Sequence, residues 1–121
     1  MTDSGCYQLK IRVRDEISLR VGALGNFILP PGEYIYTGSA MKNFEKRIAR
    51  HLRPEKKLRW HIDYLLAEPL AEIVQVNRYL SKIKEECRYN QKLLIEGAEI
   101  PIPGFGSSDC PQCSAHLLKT G

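Results

Sequence analysis

The sequence predicts an α+β domain: a small mixed or antiparallel sheet flanked by helices, with an N-terminal hairpin and a cysteine-containing C-terminal tail. Three observations predict it. Apolar residues alternate with polar ones early in the chain, the period of a half-buried strand. Later they recur every three or four residues, the period of a helix face. Strand patterns also come as a run before the helical ones rather than alternating with them. The length of 121 residues suits a single domain over 1–121, with 99–121 as a tail packed on it.

Tyr7, Leu9, Ile11 and Val13 alternate with Gln8, Lys10, Arg12 and Arg14 and predict a first strand over 6–14. Asp15 and Glu16 form a turn, and Ile17, Leu19 and Val21 predict a second strand paired to the first as a hairpin. Glycines and the Pro30-Pro31 pair mark 22–32 as a loop, with a short strand over 27–29. Residues 33–37 are dense in aromatic and β-branched types and predict a strand that ends at Gly38. Ser39 is expected to cap a helix whose stripe is Met41, Phe44, Ile48 and Leu52, and Pro54 ends it. Residues 58–66 predict a short second helix resting on Trp60, Tyr64 and Leu65. A further strand is expected over 71–76. Residues 81–96 predict a helix capped by Ser81, with Ile83, Cys87, Asn90, Leu93 and Leu94 near one face, stopped by Gly97.

The net charge of +4 is unevenly spread. Residues 42–59 hold Lys42, Lys46, Arg47, Arg50, Arg53, Lys56, Lys57 and Arg59 against two acids, a +6 stretch on a −2 remainder. A concentrated patch of this kind suits a polyanion such as nucleic acid, because neutralised phosphates release their counterions. The plainer reading is a solvated helix face. No apolar run reaches the roughly 18–20 residues of a membrane helix, and the first ten residues lack a secretory signal core. The expectation is a cytoplasmic protein with no membrane association, its four cysteines held as thiols or metal ligands rather than as a disulfide framework.

Three places carry unusual polar groups: Gly5-Cys6-Tyr7 at the start of a strand, Tyr36-Thr37-Gly38 at the end of another, and Arg47 with His51 one helical turn apart. Gly5-Cys6-Tyr7 resembles the first motif of the GIY-YIG nucleases, and Tyr36-Thr37-Gly38 resembles the second. Arg47, three residues after Phe44, matches the family's arginine, and His51 matches a histidine found in part of the superfamily. The stretches PPGEYIYTGSA, EKRIARHLR, KLRWHIDYLL and PGFGSSDC…C…HL resemble a small archaeal and bacterial GIY-YIG-like family of unassigned function, over nearly the whole chain. Some of its relatives are fused to a DNA-repair glycosylase of the endonuclease III type.

The resemblance implies metal-assisted hydrolysis of DNA phosphodiester bonds, with Mg2+ or Mn2+ as cofactor and DNA repair as a setting. It implies Tyr7 as general base, Arg47 as stabiliser of the transition-state charge, His51 as a water or phosphate contact and Tyr36 as support for the nucleophile or a phosphate oxygen. The metal carboxylate should lie on the later helix. Glu85 and Glu86 are the candidates, and Glu86 is preferred because it lies closer to the apolar stripe. The sequence departs from the better-studied nucleases at 100–105, where their final Asn has no counterpart. The nucleic-acid-binding residues would be Lys42, Lys46, Arg50, Arg53, Lys56, Lys57 and Arg59. With a single domain, specificity would come from substrate shape or from a protein partner. The alternative is a non-catalytic nucleic-acid-binding module on the same fold, or a domain whose basic face meets an acidic protein.

Cys110, Cys113 and His116 form a second constellation. Two cysteines two residues apart have the spacing of a zinc knuckle, so a structural Zn2+ is a candidate cofactor, with Cys87 or His61 as fourth ligand. Simple reduced thiols and a Cys110–Cys113 redox pair are the competing readings. The glycine-rich turn at 104–109 does not open a helix as a phosphate loop must, and it is expected to tuck Phe105 into the core. His61 and Asp63, beside Trp60, read mainly as structural polar contacts.

Overall fold

A computed structural model describes residues 3–83, 85–106 and 113–121. Its elements in chain order are β1 (Gly5–Val13), β2 (Ile17–Val21), a single 3-10 turn (Gly22–Leu24), β3 (Gly25–Leu29), β4 (Gly32–Ala40), α1 (Phe44–Leu52), α2 (His61–Leu66), β5 (Ala71–Leu80), α3 (Glu86–Ile95) and β6 (Leu117–Lys119). The main sheet has the order β5-β1-β4-β6 and is antiparallel throughout, and β2 and β3 form a separate two-stranded sheet. The fold is α+β, as the patterning predicts. Among the described residues no helix is long and apolar enough to cross a membrane.

The hairpin differs from the expected one. β2 pairs with β3, while β1 lies in the centre of the main sheet between β4 and β5. Ile17, Leu19 and Val21 face inwards and join the side chains of Tyr7, Leu9, Ile11 and Val13 in one core with Phe44, Ile48, Ile62 and Leu65. Alternation along β2 reports which face is buried; it carries no information on which strand lies alongside.

The alternation of β1 is also broken in an informative way. Cys6 and Gln8, on the face opposite Tyr7, are buried as well, while Arg12 further along is exposed. α3 covers that second face at one end only. Tyr89 of α3 stacks on Tyr79 at 4.4 Å between ring centres, and Tyr79 donates a hydrogen bond to Gln8. Beyond the reach of α3, Lys10 and Arg12 turn to Glu33 at the surface, at 3.4 and 3.7 Å. The helices thus form two layers with the sheet between: α1 against the Tyr7 face and α3 against the Cys6 face.

Two helix starts differ from expectation. Ser39 belongs to β4, which runs through Gly38 to Ala40. α1 begins at Phe44, and its first backbone N–H groups are met by Asp3, whose carboxylate accepts from Asn43 and Phe44 at 2.8 and 3.2 Å. Met41 and Leu52, expected in the stripe, are half exposed. Ser81 does not cap α3. Its N–H donates to the Ser4 carbonyl, which continues the sheet pairing, and the helix starts five residues later; Ile83 is 63% exposed. Gly97 does end α3: at φ +103° it accommodates the turn in which its N–H and that of Ala98 reach back to Leu94 and Leu93.

The tail is part of the body. β6 pairs with β4 through Tyr34, Ile35 and Tyr36, and Ile102, Phe105, Ala115 and Leu117 are fully buried.

Candidate active site and metal-ligating cluster

The register of β1 on β4 sets the two sequence triplets directly across from one another. Tyr7 pairs with Gly38 and Leu9 with Tyr36, so Tyr7, Tyr36 and Gly38 share a face. Gly38 is required by the Tyr7 ring, because a Cβ there would lie 2.6 Å from the phenolic oxygen and 2.7 Å from Cζ. Gly5 is required at the other motif, where a Cβ would run into the Tyr79 carbonyl. Gly38→Ala is expected to destabilise the fold by about 1–3 kcal/mol through overpacking. Urea unfolding reads this directly, and an unchanged midpoint would show that the ring has room to move.

α1 delivers its residues onto the same face. The Tyr7 hydroxyl is hydrogen-bonded to His51 Nε2 at 2.7 Å, and both side chains are buried. Tyr36 and Trp60 enclose the imidazole, with ring centres at 6.0 and 5.7 Å. The guanidinium of Arg47 sits 4.9 Å from the Trp60 ring centre and that of Arg50 4.2 Å. Arg47 also donates to the Ser39 carbonyl at 3.0 Å, and its charge acts on both tyrosines. Arg47 and His51, which the basic composition of their helix would place in solvent, are therefore half-buried and buried respectively.

Burial dominates the proton affinities here. It raises the Tyr7 pKa well above the ordinary tyrosine value, with Tyr36 adding to it and Arg47 opposing. It pushes Tyr36 up to about 12, again against Arg47. It pulls His51 down to about 4, opposed by Asp63 and assisted by the charges of Arg50, Lys56 and Arg47. At neutral pH Tyr7 is thus a phenol and His51 a neutral imidazole, so Tyr7 does not stand as a ready phenolate base. His51 Nδ1 is buried without a hydrogen-bond partner among the described residues.

The low His51 value has a stability consequence. An unfolded histidine takes a proton near its ordinary 6.5 and the folded one only near 4. Between those values acid favours the unfolded chain, so the His51 contribution is complete above pH 6.5 and fades as pH falls towards 4. The expected loss is roughly 3 kcal/mol. Urea midpoints of wild type and His51→Gln across pH 4–7 check it, and parallel curves would exclude His51 as the titrating group.

Asp63 anchors this corner. Its fully buried carboxylate receives Arg50 at 3.0 Å on both oxygens and the backbone N–H groups of Arg59 and Trp60 at 2.9 Å each. Burial alone would raise its pKa, but these hydrogen bonds hold it below the ordinary carboxylate range. Asp63 is therefore a structural contact, as the sequence suggests. His61 is one too: its Nδ1 accepts from Gly106 and its ring lies on Phe105, so it is not the fourth ligand of a cysteine site.

Of the seven basic residues expected to bind nucleic acid, Arg50 is engaged as above and also reaches the Lys57 carbonyl. Lys56 donates to the His51 and Arg53 carbonyls. Lys42, Lys46, Arg53, Lys57 and Arg59 are exposed.

Glu86, at the start of α3, is buried and comes from the opposite helix layer. Its charge acts on Cys6 and on Tyr36. The structure therefore brings Tyr7, Tyr36, Arg47 and His51 together, and Glu86 reaches that group electrostatically through Tyr36. Trp60, which two guanidiniums flank, is expected from the sequence only as an apolar contact of the second helix; the one signal for a place in the site is a lone tryptophan between basic stretches.

A second cluster lies between α3 and the tail. Cys87 Sγ, Cys113 Sγ and one His116 ring nitrogen all fall within 4.8 Å of one another, and the three could hold a metal ion. Cys110, expected in this group, lies outside the described residues.

A family model described as "Domain of unknown function DUF123" matches residues 6–121. No curated protein and no solved structure matches the chain.

Proposed function

The chain belongs to the DUF123 family, and from its own residues we propose that it is a divalent-metal-dependent endonuclease of the GIY-YIG type that hydrolyses DNA phosphodiester bonds. The observation that carries this reading is the buried Tyr7–His51 hydrogen bond, held against Gly38 and flanked by Tyr36 and Arg47. It joins a proton donor, a neutral acceptor and a guanidinium in one place. The orphan His51 Nδ1 supports it, since buried polar atoms are normally paired.

In this reading Arg47 turns its fork of donors to a phosphate oxygen and stabilises the charge that builds on it. Tyr7 and His51 act as a relay. The attacking water gives its proton to the Tyr7 oxygen as the Tyr7 proton passes to His51 Nε2, so no free phenolate is needed. As the new P–O bond forms, the bond to the leaving oxygen breaks and that oxygen takes a proton from solvent water. His51, a weak base when buried, returns its own proton to solvent. Both groups are closed to bulk solvent, so the attacking water enters with the substrate. Glu86 would hold the Mg2+ or Mn2+ ion. A single carboxylate fits a cation that keeps several of its waters, and Asp63 is committed to Arg50. The ion would supply charge stabilisation at the scissile phosphate. Lys42, Lys46, Arg53, Lys57 and Arg59 would follow the DNA backbone.

A second reading, a binding module without catalysis, is favoured by the origin of Glu86 in the opposite helix layer and by the existing engagement of Arg47 with Ser39. Incubation of the purified protein with duplex, single-stranded and branched DNA, with Mg2+ or Mn2+, separates the two. The nuclease reading expects nicking that is lost in Glu86→Gln. Salt-sensitive binding with no cleavage under either ion would establish the module instead.

A further inference from the structure

We propose that Cys87, Cys113 and His116 form a structural zinc site that fastens α3 to the C-terminal segment, independently of any nuclease activity. The donor set is two sulfurs and one imidazole, which suits zinc over the hard cations. The spacing is close to what the ion requires. Cys87 Sγ lies 3.8 Å from His116 Nε2 and all three donors lie within 4.8 Å. Zn–S bonds of about 2.3 Å and Zn–N bonds of about 2.0 Å would set such donors about 3.5–3.8 Å apart around a tetrahedral ion. A small inward movement closes the cluster and leaves one tetrahedral position for a further donor. Cys113 is buried, and His116 is only 5% exposed.

The surroundings are those of a supported ligand. The Gln91 amide reaches Cys113 Sγ at 3.9 Å. Such a donor steadies a thiolate and tunes it for its metal. Asn90 donates to the Ala115 carbonyl at 2.5 Å, so the same helix turn already holds the same tail.

What the ion would do follows from the composition of α3. Its buried residues are Glu86 and Asn90, both polar, so beyond the stack of Tyr89 on Tyr79 the helix has little apolar anchorage. In the reduced protein, one ligand on α3 and two from the tail would supply a cross-link between them. Cys113 is a free thiol, whereas Cys87 is disulfide-bonded. That bond and the ion compete for one sulfur, so the reduced protein is the zinc-binding form.

The test is atomic emission on the full chain purified under reducing conditions without added chelator. One zinc per chain is expected, falling at least fivefold in Cys113→Ser and in His116→Asn. Chelation should lower the thermal midpoint by about 5–10 °C, and added zinc should restore it. Should the variants fold poorly, cobalt(II) titration of reduced wild type replaces them, and a sulfur-to-cobalt charge-transfer band is expected. Reduced wild type that carries no zinc and gives no such band overturns the site. So does zinc that survives in both variants.

Discussion

Under the proposed endonuclease reading, Arg47→Ala should lower the rate of DNA cleavage by about 10²–10³-fold, the usual cost of removing one fixed donor from a developing phosphate charge. The change should leave the fold largely intact. Arg47 is half-buried and contributes one hydrogen bond to Ser39 and one cation–π contact to Trp60, worth about 1 kcal/mol each. Arg50 still covers the indole. Arg47→Lys retains the charge but not the planar fork, and should recover only part of the rate. Single-turnover nicking of a labelled duplex, beside urea curves of the same preparations, separates chemistry from stability. A rate within threefold of wild type would remove Arg47 from the reaction.

Asp63→Ala is expected to be the most damaging single change to the fold, at about 3–5 kcal/mol. The carboxylate satisfies both arms of Arg50 and two backbone N–H groups at the start of α2. Its removal leaves a partly buried guanidinium with no counter-charge. Domains of ordinary stability hold about 5–15 kcal/mol in total, so the variant should sit near its unfolding midpoint at 37 °C. Asp63→Asn keeps an acceptor and should cost clearly less. Thermal unfolding of the pair decides it, and equal midpoints for wild type and Asp63→Ala would show that the carboxylate is dispensable. The change should also disturb the site from outside it, because Asp63 fixes Arg50 and Trp60, and Trp60 encloses His51.

Much of the candidate site was readable from the chain because it depends on local constraints. Tyr7 and Gly38 are opposite residues of one ladder, and a ring crossing a backbone admits glycine alone, so the two motifs carry their own geometry. Arg47 and His51 share a helix face by spacing. The parts that were not readable depend on distant partners. Ser81 looks like a helix cap, yet its N–H belongs to Ser4, 77 positions away. The true partner of the α1 N-terminus is Asp3, some forty residues upstream. Cys6 and Gln8 occupy positions that alternation assigns to solvent, and are buried because α3 folds over them. The burial of His51, which sets its charge state, likewise comes from Tyr36 and Trp60, which belong to other elements.

Trp60 is the only tryptophan in the chain, and it stands between the two guanidiniums and the imidazole of the candidate site. All of the protein's indole fluorescence therefore originates there. An anion that draws Arg47 or Arg50 off the ring changes the emission of one indole against no background from other indoles. The fold thus supplies its own optical sensor, able to register occupancy by unlabelled ligands before any turnover is measured.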